Sequence, residues 1–453
     1  MKRLVMFISF LGLYISTIAQ QGHDGTAVGR VIDPVVCSAD HSQSYALYIP
    51  QKGGAQPMPV VFFFDPHGYG SLPLHRYKTL ADAYGFILVG SNNSKNGNDW
   101  PTTENIWNRL FADVRQRYKI DDHRIYLCGF SGGAKVASHI AIQHPGVRGV
   151  VAGGAGLPEG VSASDYPFSF TVMAGEGDMN LTDLAGLSAA LDKTRTRHRL
   201  IGFDGKHEWA PLVVMDQAFS GWKLEAMHDG LIPRDPAFVR SVVAGYKSRI
   251  ELAIHFDQLI RAEQACRVAA SYLEGLTPEA DNFRRKASAL DDDPKYIKQD
   301  QAREAQFARE RNMKSEYMAQ FEQGDNRYWQ QTIRQLESKA ATAGPEKGMY
   351  QRLLAYLSLA FYSISNQLIN AGRNDAARHF VELYKMADAS NSESWYFSAV
   401  LDVREGHAPQ AGIDLQKAVG LGFRDRVRLR QQPEFQKAFS AAELSGIENK
   451  MVK

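Results

Sequence analysis

The sequence has little of what would place it in several large protein classes. It holds three cysteines, Cys37, Cys128 and Cys266. Three thiols leave at least one unpaired, and the set does not resemble a metal site, so neither a dense disulfide framework nor a metal centre is expected. Charge of one sign is not in excess either. The formal net charge is +2 with no long basic run, which argues against nucleic acid or an anionic surface as the main partner. Beyond the first twenty residues no apolar run is long enough to span a bilayer. An apolar fraction of 44% with 23% charged residues is ordinary for a globular protein and excludes wholesale disorder. A chain of 453 residues exceeds one compact core, so about two or three domains are expected.

The beginning of the chain reads as an export signal. Lys2 and Arg3 precede an apolar stretch over residues 4–15, and Thr17 and Ala19 then stand at the −3 and −1 positions of a cleavage site. That is the layout of a secretory signal peptide over residues 1–19. It implies an exported chain, periplasmic or secreted, with no membrane span once the signal is removed. No cysteine lies at the cut to take a lipid.

Residues 28–240 alternate apolar β-rich runs with stretches of helical period. The runs fall at 45–49, 60–64, 86–89, 125–127, 147–152, 170–173 and 198–203. Near-continuous apolar strands separated by helices predict an α/β domain with a mostly parallel sheet covered on both faces. Past about residue 245 the β-rich runs vanish. Residues 245–345 read as a helical linker region, and 346–445 as an all-α domain with a repeat. Gly372 and Gly406, Ala377 and Ala411, and Tyr362 and Tyr396 are each 34 residues apart. A 34-residue helix–turn–helix period is the tetratricopeptide pattern, in which small residues let paired helices approach.

The chemistry is concentrated in Gly129-Phe130-Ser131-Gly132-Gly133. An apolar strand precedes this G-x-S-x-G run and a helical pattern follows it. Such a tight strand-to-helix turn holds the serine hydroxyl above the sheet edge, and the flanking glycines let the chain pack that closely. A serine hydroxyl is barely acidic near neutral pH and needs a base. His207, in the loop after the last strand-like run, is placed to supply it. The acid is expected after the preceding run, in Ala174-Gly175-Glu176-Gly177-Asp178, with Asp178 the choice and Glu176 its competitor. Two N–H donors would hold an oxyanion: Gly132, and either Gly68 or Tyr69 in the loop after the 60–64 strand. His67 precedes the serine and reads as a loop-holding residue. The loop over residues 90–100 is dense in amides, so Asn92, Asn93 and Trp100 are candidate substrate contacts, with Trp209 beside the base.

Taken together, the elbow, acid and base segments resemble the α/β-hydrolase superfamily over about residues 28–225. Within it they are similar to secreted esterases related to polyhydroxyalkanoate depolymerases and feruloyl or acetyl-xylan esterases. His207-Glu208-Trp209 also resembles the His-x-Trp of dienelactone-hydrolase-like proteins. The resemblance implies hydrolysis of a small-molecule or polymeric carboxylic ester through an acyl-enzyme, with no metal or organic cofactor. Two other readings stay open: a serine peptidase of the same fold, and a non-catalytic binding protein working through its helical repeats. The C-terminal helices read as an accessory module for a protein partner or for substrate, so deletion after about residue 245 is expected to spare activity on a small ester.

Overall fold

The computed structural model describes residues 28–51 and 56–452, so the export segment lies outside the described residues. Eight strands form one sheet: β1 Val31–Val36, β2 Ser44–Tyr48, β3 Met58–Phe64, β4 Ile87–Ser91, β5 Ile120–Phe130, β6 Val147–Gly153, β7 Ser169–Gly175 and β8 His198–Phe203. Their order is β1-β2-β4-β3-β5-β6-β7-β8. β1 and β2 enter antiparallel, and all pairings from β4–β3 onward are parallel.

Residues 60–64 show why β3 lies at the centre. Val60, Phe62 and Phe64 point into one core and Val61 and Phe63 into the other, all of them fully buried. A strand apolar at every position suits a sheet covered twice. On one face lie helices α2 Trp100–Arg117, α3 Gly132–Gln143 and α4 Leu181–Leu191; on the other, α1 Ser71–Tyr84 and α5 Leu212–His228. Local signals fix these helices. Asp99 caps α2 by accepting from Thr102 N at 2.9 Å, with Pro101 in the first turn.

The expected boundary near residue 240 does not mark the edge of a core. Helices α6 Pro236–His255, α7 Leu259–Leu273 and α8 Glu279–Asp291 contribute Val243, Tyr246, Ile250, Cys266, Tyr272 and Phe283 to the same cluster as Phe63 and Trp222. The stretch expected to be a linker is therefore half structural wall. Few large apolar residues and many charges hid this, because alanines and one or two aromatics per helix suffice for close helix packing.

The remaining helices form a third cluster. They are α9 Pro294–Gln323, α10 Asn326–Ala341, α11 Lys347–Asn370, α12 Asn374–Ala387, α13 Ser392–Arg404, α14 Ala408–Gly420 and the shorter α15 Arg426–Gln431, α16 Pro433–Ala438 and α17 Ala441–Asn449. Gly372 (φ 71°) and Gly406 (φ 82°) turn the chain between α11 and α12 and between α13 and α14. Ala377 and Ala411 are fully buried where each second helix meets its partner cluster. Tyr362 stacks on Phe397 at 5.4 Å, joining the two hairpins. Among the described residues no helix is long and apolar enough to cross a membrane. Cys37, Cys128 and Cys266 are all free and buried.

Candidate active site

β3 and β5 are neighbours, but the chain leaves β3 toward β4 and leaves β5 toward β6. The connections after their paired C-terminal ends therefore run to opposite sides and open a crevice, the place where open α/β sheets gather ligands. Ser131 sits at the end of β5 with φ 54° and ψ −122°. A positive φ on a residue with a Cβ costs on the order of 1–3 kcal/mol and persists only where the surroundings force it. Here they do. A Cβ on Gly129 would meet the Gly133 carbonyl oxygen at 2.0 Å, and one on Gly133 would meet the Phe64 carbonyl oxygen at 1.9 Å. Ser131 N donates to Gly153 O at 2.8 Å and fixes the turn.

The structure brings three of the expected residues together. His207 Nε2 lies 2.9 Å from Ser131 Oγ, and His207 Nδ1 lies 3.0 Å from each oxygen of Asp178. A carboxylate facing Nδ1 keeps the proton there and leaves Nε2 free to accept from the hydroxyl. Asp178 is 1% exposed and also accepts from Asn180 N at 2.9 Å. The ring of Phe130 packs on His207 at 4.7 Å. Glu176, the competing acid, points away and meets Arg261 at 3.5 Å. The other nearby histidines have different partners: His139 and His144 bind Glu104, and His198 binds Asp192.

Strand order, crevice, strained elbow and the succession Ser131, Asp178, His207 decide the architecture. The chain has the α/β-hydrolase fold. No protein-family model matches the sequence, and comparison with curated proteins finds no match. Among solved structures, an esterase from the hyperthermophilic archaeon Pyrobaculum calidifontis is similar at 15% identity over 44% of this chain and 87% of its own, with a TM-score of 0.36. A ferulic acid esterase gives 17% identity over 42% and 94%, at 0.35. Dienelactone hydrolase from Anabaena variabilis gives 18% over 42% and 95%, at 0.31.

Around the hydrolase-fold elbow the polar loops differ from expectation. Gly132 opens α3, where its N–H has no intrahelical carbonyl to meet. Gly68 N closes a turn on Asp65 O at 3.1 Å, so Gly68 is not available as the second oxyanion donor. Its glycine character serves packing, because a Cβ there would lie 2.9 Å from Asn92 O. Tyr69 N reaches Asp65 Oδ1 at 3.4 Å, the longest bond of this loop and the one most easily redirected. Asn96 was not singled out from the sequence. Its side-chain oxygen lies 1.8 Å from where a Cβ on Gly132 would stand, directly beside the nucleophile. Only its place in the amide-rich loop hinted at this.

Three of the four candidate substrate contacts are framework residues instead. Asn92 accepts from Gly70 N and donates to Asp33 and Ser44. Asn93 accepts from Ser44 N and donates to Ser42 O. Trp209 is 5% exposed, packs among Phe63, Tyr77 and Phe130, and donates to Asp65 Oδ2 at 3.0 Å. It ties the base loop to the loop after β3. Trp100 remains partly exposed and stacks on His139 at 4.2 Å.

The helical part borders this site. A hydrogen bond to Asp65 raises His67 above its ordinary value against the effect of burial, and the Glu393 and Asp425 carboxylates add to the rise. Burial pushes the Tyr69 phenol up, and Asp425 and Glu393 push the same way. Glu393 lies in the first turn of α13 and Asp425 caps α15, so both carboxylates come from the helical part. Among the described residues one group, Asp402, Glu405 and His407, is close enough to hold a metal, but Arg378 already donates to Asp402 at 2.7 Å and Glu405 at 2.9 Å.

Proposed function

We propose that this chain is a serine hydrolase of carboxylic esters that works through an acyl-enzyme. The observation that carries the proposal is the unbroken chain from Ser131 Oγ through His207 to the buried Asp178. His207 takes the hydroxyl proton as Ser131 attacks the ester carbonyl, and returns it to the leaving alcohol. The acyl group rests on Ser131 until His207 activates a water that releases the acid. Asp178 keeps the imidazole in the right tautomer and offsets the positive charge that forms on it. Gly132 N–H and Tyr69 N–H are the donors proposed for the oxyanion, with the α3 N-terminus adding a favourable field.

Asn92 and Asn93 of the amide-rich loop are engaged in framework bonds, so the proposal stays at the carboxylic ester. Export of the mature chain belongs to the same reading and rests on the first nineteen residues. The test is turnover of p-nitrophenyl esters against the matching anilides. Ester hydrolysis lost in Ser131→Ala supports the proposal. Faster anilide cleavage would favour a peptidase, and no turnover of either would leave the fold as a binding scaffold.

A further inference from the structure

The loop carrying Asp178 is held from outside the sheet. On α9, Glu310 is fully buried and lies one turn from Lys314, whose ammonium meets its Oε1 at 2.8 Å. On α11, Arg352 is 3% exposed and donates from Nε to Glu310 Oε2 at 2.7 Å. The two cations then reach across to the acid loop. Arg352 Nη1 donates to Glu176 O at 2.7 Å, and Lys314 Nζ donates to Met179 O at 2.9 Å. These carbonyls stand two residues before Asp178 and one residue after it. α11 is seated tightly there: a Cβ on Gly348 would lie 3.1 Å from Glu176 O, and one on Gly177 would lie 3.1 Å from Gln351 Oε1.

Beside these polar contacts, Phe307 of α9 joins the core cluster that holds Leu181 and Leu184. A cavity of about 1570 Å³ opens behind the loop, lined by Glu176, Gly202, Arg261, Arg303, Gln351 and Arg352. Burying the Glu310 carboxylate and the Arg352 guanidinium is costly, so the cluster is a weak source of stability, and what it supplies is a fixed geometry. The planar guanidinium is suited to that, since one fork can hold a carboxylate and a carbonyl at once.

On the reading of Asp178 as the acid of a serine hydrolase, we propose that Arg352 and Lys314, held by Glu310, are positioning residues that make the helical module part of the active site rather than an accessory to it. Each flanks Asp178 through one main-chain carbonyl, so the module sets where the carboxylate meets His207 Nδ1. A misplacement of about 1 Å at a reacting group costs about 100-fold in rate.

The test uses the full chain, p-nitrophenyl acetate and five variants: Arg352→Met, Arg352→Lys, Lys314→Met, Asp178→Asn and the Arg352→Met/Asp178→Asn double. The expected result is a kcat about 100-fold lower in Arg352→Met with KM within about twofold. Arg352→Lys, which keeps charge but not the fork, should recover only part of the loss. The double variant should be no slower than Asp178→Asn alone, because a residue acting through Asp178 has nothing left to act on. A folded Arg352→Met with wild-type kcat, or losses that multiply in the double variant, would overturn the proposal. Should Arg352→Met fail to fold, Lys314→Met carries the same comparison through its one bond to the acid loop. Amide hydrogen exchange over residues 176–180 separates this claim from the hydrolase reading. Faster exchange in the variants supports the latch even in a chain that cleaves no ester, and unchanged exchange contradicts it whatever the activity.

Discussion

At the scale of single residues, the site combines strain with preorganisation. Ser131 holds a left-handed backbone because three glycine-lined contacts around it leave no other path. Ser131→Gly should therefore abolish hydrolysis yet raise stability by about 1 kcal/mol, measured as the urea midpoint at constant slope. The two neighbouring carboxylates should separate cleanly. Asp178→Asn should lower kcat by about 10⁴-fold, as expected when the base is held in the wrong tautomer. Glu176→Gln should leave kcat within about threefold, since Glu176 faces Arg261 rather than His207. Equal losses in the two variants would reverse the assignment of the acid. Sequence order singled out these residues because the elbow, the acid and the base each follow a strand. It misjudged Asn92, Asn93 and Trp209, because an amide or an indole in a loop beside a site looks the same whether it faces a ligand or a backbone carbonyl. Burial decides between them, and burial is set by distant segments.

At the scale of elements, the loops that leave β7 and β8 are clamped together by α7. Arg261 Nη1 donates to Asp204 Oδ2 at 3.1 Å and its Nη2 lies 3.5 Å from Glu176. Asp204 begins the loop that carries His207. The hydrogen bond and charge of Arg261 hold its carboxyl below the ordinary 3.8. A depressed carboxyl contributes stability above its unfolded value and loses it as pH falls through the folded one. The melting temperature of the wild type relative to Asp204→Asn should therefore be higher at neutral pH, with the gap closing below about pH 4. The gap should be small throughout, because Asp204 is largely exposed. A gap that widened on acidification would contradict the assignment. β2 to β8 were legible from near-continuous apolar runs, whereas β1, half-exposed along its length, was not. α5 was not read from the sequence, since a helix buried on much of its circumference loses the amphipathic pattern.

At the scale of the whole molecule, the sheet and the helices that follow it do not divide where composition changes. Tyr246, Ile250, Cys266, Tyr272 and Phe283 belong to the core that also holds Trp222 and Phe219. Cutting the chain at residue 245 removes most of that wall. Fully burying one large apolar side chain is worth about 1.5–3 kcal/mol, so losing several exceeds the stability of a typical domain. A chain ending at 245 should show no cooperative melting transition; a sharp transition with retained ester hydrolysis would restore the accessory-module expectation. The 34-residue period correctly placed the hairpin turns at Gly372 and Gly406, because the constraint there is local. What the helices stand beside was not legible, because the bonds from Lys314 and Arg352 to the carbonyls of Met179 and Glu176 join positions more than one hundred residues apart.

The claim on which the rest depends is that His207 makes Ser131 Oγ a nucleophile. A fluorophosphonate tests it directly, since attack by the serine forms an oxygen–phosphorus bond and expels fluoride. Mass mapping of the treated full chain should find one adduct, on Ser131, that disappears in His207→Ala. No adduct, or one on another residue, would contradict the account.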